Sequence, residues 1–194
     1  MAYPTALHGC LHFLWAGLAR LGQTGALVPS QRFLIDRMIE PVPPDYRGQI
    51  VELGAGIGAL TVRLAARCPG AKILACEINP TLAHAGQQNL ARAGLHEQTT
   101  FITDPAQRLL PSLGRNGLPR PDFVISGIPL GNLRRPQVLE LLALVRDALP
   151  KGGLYIQYQH SLLDRRNIRG CFPSLRTVPV WLNLPPAVVY YARR

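Results

Sequence analysis

Glu52, Gly54, Gly56 and Gly58 fall within ten residues, Val51-Glu-Leu-Gly-Ala-Gly-Ile-Gly-Ala-Leu60. Their types and spacing suit a nucleotide-like ligand. The run reads as a buried strand, then alternating glycines, then a helix. The glycines let the backbone turn sharply and let a ligand approach atoms that a Cβ would block. A carboxylate at the mouth of an apolar strand is costly unless something hydrogen-bonds to it. An ammonium group fits Glu52, whereas a pyrophosphate would be repelled. Glu77 ends the second apolar run, where it can accept hydrogen bonds from two ribose hydroxyls. Asp104 ends the third, where an acid can accept from an adenine amino group. A nucleoside with an amino-acid tail, S-adenosyl-L-methionine, satisfies all three acids. The letters Gly54-x-Gly56-x-x-Ala59 also fit a dinucleotide fingerprint. No Tyr-x-x-x-Lys pair accompanies them, so hydride transfer is disfavoured.

The fourth strand leads into Ser126-Gly-Ile-Pro-Leu130, a loop that in this architecture faces the transferable methyl group. Ser126 is placed among the cofactor contacts, and Pro129 and Leu130 among the acceptor contacts. Enzymes that methylate nucleobase amines carry Asn or Asp at the first of these positions and an aromatic at the last. Leu130 removes that stacking surface, worth ~1–3 kcal/mol of base recognition. Tyr155, Tyr158 and His160, around the end of the fifth strand, are the candidates to take a proton from an attacking amine. Tyr158 and His160 share a parity and so a face. Aromatic rings there can also hold a methylated ammonium. Arg165, Arg166 and Arg169 have the geometry to grip a phosphate.

Elements that would position these residues alternate strand and helix, predicting a mostly parallel sheet covered on both faces. Expected strands are 49–53, 72–77, 99–103, 122–126 and 153–158, with helices over 30–40, 58–66, 80–93 and 136–149. Ser30 would cap the first helix, and Pro80 and Pro136 suit first turns. Lys151-Gly152-Gly153 suits a left-handed helix stop. Strands 175–182 and 187–192, joined by Asn183-Leu-Pro-Pro186, must pair antiparallel. The α/β fold expected is Rossmann-like: a mostly parallel seven-stranded sheet closed by an antiparallel C-terminal hairpin, as in class I methyltransferases. Trp181 and Asn183 are expected to pack and stiffen that hairpin. The loop 111–121, rich in Gly and Pro, reads as mobile or inserted.

At 194 residues the chain suits one domain, here 25–194, preceded by an arm over 1–24. Leu7, Leu11, Leu14, Leu18 and Leu21 recur on one helical face of that arm, with Trp15 suited to a membrane interface. No Lys or Arg precedes its apolar stretch, a poor fit to a secretory signal. The net charge of +10 attracts polyanions, nucleic acid or an anionic leaflet. Four scattered cysteines form no Cys-x-x-Cys pair, so no metal site is expected and reduced thiols in the cytoplasm are.

Ser126-Gly-Ile-Pro-Leu130, Val180-Trp-Leu-Asn-Leu-Pro-Pro-Ala187 and Gly25-Ala-Leu-Val-Pro-Ser30 together resemble bacterial phospholipid N-methyltransferases. The resemblance spans most of residues 20–192. It implies S-adenosyl-L-methionine-dependent methylation of phosphatidylethanolamine towards phosphatidylcholine, by a peripheral protein on the inner face of the cytoplasmic membrane. It also implies anionic lipids as partners, with Trp15 and the three arginines toward the lipid. Ser30-Gln-Arg-Phe-Leu-Ile-Asp36 is similar to the N-terminal motif of ribosomal RNA adenine dimethyltransferases. Those usually carry a helical RNA-binding domain for which no segment remains, so nucleic acid is not the favoured partner. The remaining alternative is a catalytically silent module that binds the cofactor or lipid.

Overall fold

The computed structural model describes residues 29–115 and 118–194. The chain runs α1 (Pro29–Ile39), β1 (Gln49–Leu53), α2 (Ala59–Arg67), β2 (Lys72–Cys76), α3 (Pro80–Arg92), β3 (Thr99–Ile102) and α4 (Ala106–Leu109). It continues β4 (Phe123–Ser126), α5 (Arg135–Ala148), β5 (Leu154–Gln159), α6 (Arg165–Cys171), β6 (Ser174–Val180) and β7 (Ala187–Arg193). The seven strands lie in the order β3-β2-β1-β4-β5-β7-β6. Neighbours from β3 to β5 pair parallel, and β7 runs antiparallel to both β5 and β6. This is the expected Rossmann-like methyltransferase architecture.

Alternation along the strands divides the core. Val51, Leu53, Val124 and Tyr155 face α4, α5 and α6, while Ile50, Ile125, Leu154 and Ile156 face α1 and α2. On α5 the buried residues Val138, Leu141, Leu142 and Val145 recur at helical spacing, giving one apolar stripe toward the sheet. Leu34, Ile35, Met38 and Ile39 do the same for α1, which the Tyr191 hydroxyl ties down by donating to the Arg37 carbonyl at 2.6 Å.

Several local expectations shift. Ser30 lies inside α1, which begins at Pro29, so it is not the residue before the helix. Asn79 caps α3, its side-chain oxygen accepting from the Thr81 and Leu82 amides, with Pro80 at the first helical position. The arginine segment after β5 forms α6, a helix not anticipated because only Ile168 of it is buried. Residues 106–109 form α4 and a 3-10 turn follows over Leu110–Ser112, so the loop expected over 111–121 begins within an ordered turn. Gly152 does adopt the left-handed conformation, φ 82°. The arm over 1–24, including Trp15, lies outside the described residues. No helix among those described is long and apolar enough to cross a membrane.

Candidate active site at the carboxyl edge of the sheet

The residues with chemical potential gather where β1, β2, β3, β4 and β5 end. Parity turns Glu52 of β1 toward α2, where the Thr61 hydroxyl donates to its Oε2 at 2.7 Å. The carboxyl is buried and has no cationic partner among the described residues. Burial is the main cause that pushes its pKa up to about 8; the Thr61 hydrogen bond opposes that, and Glu77 nearby adds to it. An ammonium placed there would restore the ionised form.

Glu77 follows β2 and organises the glycine loop. Its Oε2 accepts from the Gly56 amide at 2.8 Å and its Oε1 from the Asn79 amide at 2.9 Å. Gly54, Gly56 and Gly58 hold φ of 70°, 57° and 79°, a region L side chains rarely adopt. A Cβ on Gly56 would meet nothing within 4 Å, so this turn of backbone faces open space. A Cβ on Gly54 would lie 3.1 Å from Ile128 Cγ1, which is how closely the glycine loop and the acceptor loop approach. Ile78, exposed beside Glu77, offers apolar surface to a ring. Asp104, two residues beyond β3, pairs with Arg108 at 3.1 Å, and its carbonyl accepts from the Cys76 thiol at 2.8 Å.

These features fit S-adenosyl-L-methionine. Glu52 would meet its ammonium, the open turn at Gly56 would pass its tail, Glu77 its ribose and Asp104 its adenine.

Ser126 is fully buried and its Oγ accepts from the Ile128 amide at 3.2 Å, so its oxygen shapes the loop. Ser126 as a direct cofactor contact is therefore corrected: it acts through the backbone it holds. Leu130 is likewise corrected. Its side chain is fully buried among Leu113, Val138 and their neighbours, so it anchors the loop to the core and does not meet the acceptor. Burying a leucine there contributes ~2 kcal/mol. Pro129 stays exposed at the rim.

Tyr155 is corrected as a proton acceptor. It lies in the core, stacked on Phe172 at 5.6 Å, with its hydroxyl donated to Gln157 Oε1 at 2.5 Å. Tyr158 and His160 do lie together, ring centroids 5.8 Å apart and nearly perpendicular. Tyr158 faces the acceptor loop, since a Cβ on Gly127 would lie 3.8 Å from its ring. His160 is exposed and its Nδ1 lies 3.0 Å from the Pro186 carbonyl. A carbonyl can only accept, so Nδ1 is the nitrogen that donates to it and Nε2 takes no part in that bond. Arg165, Arg166 and Arg169 all stand exposed on α6.

Three residues that shape the candidate site escaped sequence reading. Gln157 and Gln159 both donate to the Ile128 carbonyl, at 3.0 and 3.1 Å, and fix the acceptor loop from the side of β5. The available signal was two amides at the same parity in an otherwise apolar strand, since buried amides demand partners. Thr61 left no such signal, because only the fold shows that α2 brings it beneath β1.

Comparison with known proteins agrees with this fold. A curated relative, the ornithine lipid N-methyltransferase of Singulisphaera acidiphila, is 26% identical over 170 residues, 87% of each chain. An O-methyltransferase from Streptomyces achromogenes, solved with S-adenosylmethionine, superposes with a TM-score of 0.65 at 16% identity, covering 87% of this chain and 81% of that one. An RNA methyltransferase from Salinibacter ruber, solved with S-adenosyl-L-homocysteine, gives 0.62 at 21% identity, covering 86% and 93%. At such identities these two structures establish the shared fold. The family model described as a methyltransferase domain matches residues 50–153, more than half of the chain. The protein therefore belongs to the methyltransferase-domain family, and it shares its fold with methyltransferases solved with S-adenosylmethionine or S-adenosyl-L-homocysteine.

Proposed function

We propose that the chain methylates the primary amine of a membrane lipid, phosphatidylethanolamine in the first place, towards phosphatidylcholine. The observation that carries this reading is the lipid N-methyltransferase relative, which aligns along 87% of both chains and not over the cofactor half alone. The buried Leu130 and the absence of an aromatic in its place leave no stacking platform in the acceptor loop, which disfavours a nucleobase.

Bound S-adenosyl-L-methionine supplies an electrophilic methyl group. The chain has to align an amine with it, remove the amine's proton and exclude water. Ser126, Gln157 and Gln159 hold the loop that sets the approach. His160 Nε2 accepts the proton that makes the amine a nucleophile. Tyr158, beside it, offers a ring face to the methylated ammonium. The exposed arginines of α6 take the lipid phosphate.

The test is incubation with labelled S-adenosyl-L-methionine and liposomes containing phosphatidylethanolamine, with ornithine lipid and ribosomal RNA in parallel. Label in monomethylated or dimethylated phosphatidylethanolamine is expected. Label only in RNA, or none despite intact binding of S-adenosyl-L-homocysteine, would overturn the reading.

A further inference from the structure

We propose that the two loops leaving the carboxyl edge of the sheet after β5 and β6, residues 160–164 and 181–186, form a docking surface for an anionic lipid bilayer. The inference rests on the lipid-methylating function above and assigns the face that brings the reaction site to its substrate.

Both loops invert the usual pattern of burial. Leu162 and Leu163 are 57% and 82% exposed, and Trp181, Leu182 and Leu184 are 76%, 67% and 84% exposed. Two polar residues among them, Asp164 and Asn183, are turned inward and buried, while His160 and Ser161 stay exposed at the start of the first loop. Trp181 is thus no packing anchor, as its sequence context had implied. Single exposed leucines are ordinary, but five large apolar side chains on two adjacent loops mark a contact surface.

The loops leave the same edge and are joined. His160 Nδ1 donates to the Pro186 carbonyl at 3.0 Å, and the Tyr190 hydroxyl donates to the Ser161 carbonyl at 3.1 Å. Within the second loop the Asn183 amide donates to the Pro185 carbonyl at 2.6 Å. The leucines and Trp181 are therefore held outward by a braced frame. This is the edge where Tyr158, His160 and the acceptor loop lie, so a bilayer seated there presents its head groups to the reaction site.

Charge identifies the occupant. Arg165, Arg166 and Arg169 follow directly on the first loop, are exposed, and form no ion pair among the described residues. Apolar side chains that enter the interface, a tryptophan at its level and neighbouring arginines are the combination an anionic leaflet attracts. Nucleic acid would use the arginines but would gain nothing from four leucines.

The test uses the full chain and sedimentation with vesicles of phosphatidylcholine alone or mixed with phosphatidylglycerol. Binding is expected only to the anionic vesicles and should weaken with salt. Leu163→Asp with Leu184→Asp should lower the partition coefficient by about tenfold or more. Arg166→Glu with Arg169→Glu should lower it by about fivefold per arginine. The leucine variant should still bind S-adenosyl-L-homocysteine and methylate a short-chain, water-soluble phosphatidylethanolamine at the wild-type rate. Wild-type vesicle binding by both variants would overturn the docking surface. So would conversion of a wild-type dimer to monomers by the leucine variant, which would assign the patch to a second copy. Failure of the wild type on short-chain lipid would instead strike the proposed function, whatever the vesicles show.

Discussion

The Gly56 amide donates to Glu77 Oε2 at 2.8 Å, a bond across 21 residues that locks the glycine loop after β1 to the end of β2. The other carboxylate oxygen takes the Asn79 amide, and the Asn79 side chain in turn caps α3. One acid therefore sets the loop, the start of the next helix and the rim on which a ribose would rest. Hydrogen bonds from amides to an ionised carboxylate are among the stronger ones available.

Glu77→Ala removes both acceptors at once. The loop amide loses its partner and the ribose its receptor, a combined cost on the order of 2–3 kcal/mol. Affinity for S-adenosyl-L-homocysteine, measured by titration calorimetry, should fall by about thirtyfold or more. Unchanged affinity would remove Glu77 from the cofactor site.

Glu52 makes two pH-dependent quantities move in opposite directions. Its folded-state pKa of about 8 stands above the ordinary 4.5, and burial is the leading cause. Below the lower value both states hold the proton. Between the two the unfolded chain ionises and the folded one does not, so the ligand-free protein loses stability as pH rises, on the order of a few kcal/mol, and levels off above the higher value. Binding an ammonium favours the ionised carboxyl, so affinity for S-adenosyl-L-homocysteine should strengthen as pH rises toward 8, with proton release. Urea midpoints and calorimetry in buffers of different ionisation enthalpy check both. Glu52→Gln should flatten the stability slope and abolish the proton release.

The candidate cofactor edge was legible because its acids repeat with the strands. Glu52, Glu77 and Asp104 are written as the last polar residues of three apolar runs, and parallel pairing brings the ends of those strands to one edge, with Glu52 level with Ala75 and Cys76 level with Ile102. The acceptor half was not, because its residues act through partners distant in sequence. Leu130 looked like a contact until the core enclosed it, and Tyr155 looked like a base until β5 turned it inward. Trp181 misled in the opposite sense, since a large ring beside Pro-Pro reads as packing and the hairpin exposes it. The sheet, by contrast, followed from alternation alone. The helices that sequence missed, α4 and α6, are too short to carry a periodic signal.

Gly86 illustrates a packing constraint hidden in a helix. A Cβ there would lie 2.6 Å from the Phe101 ring and 3.3 Å from the Ile57 backbone, where α3 crosses the glycine loop against β3. Alanine would favour the helix by about 1 kcal/mol, but the clash costs roughly 1–3 kcal/mol and involves backbone that cannot rotate away. Gly86→Ala should lower the melting temperature, and Phe101→Leu in the same chain should recover part of the loss.

Gln159 acts on the acceptor loop without touching the cofactor loop. Gln159→Leu removes one of the two amide donors to the Ile128 carbonyl. The loop then keeps its place less well, and a misplaced nucleophile costs rate rather than donor affinity. A several-fold fall in kcat with unchanged S-adenosyl-L-homocysteine affinity is expected. Equal losses in both would mean that the substitution damages the fold at large.

A pH profile separates the bracing contact of His160 from the proton-accepting role proposed for it. Its Nδ1 braces the hairpin through Pro186, and its Nε2 is the atom proposed to accept the proton of an attacking ammonium. His160→Asn keeps a side-chain donor for the carbonyl and removes the base. If proton acceptance is its role, kcat at neutral pH should fall by about a hundredfold. The loss should shrink as pH rises, because an increasing share of the amine then arrives deprotonated and needs no acceptor. A bracing role alone would lower the rate equally at every pH. Steady-state rates on a short-chain phosphatidylethanolamine from pH 6 to pH 10 distinguish the two, since soluble substrate removes vesicle binding from the measurement.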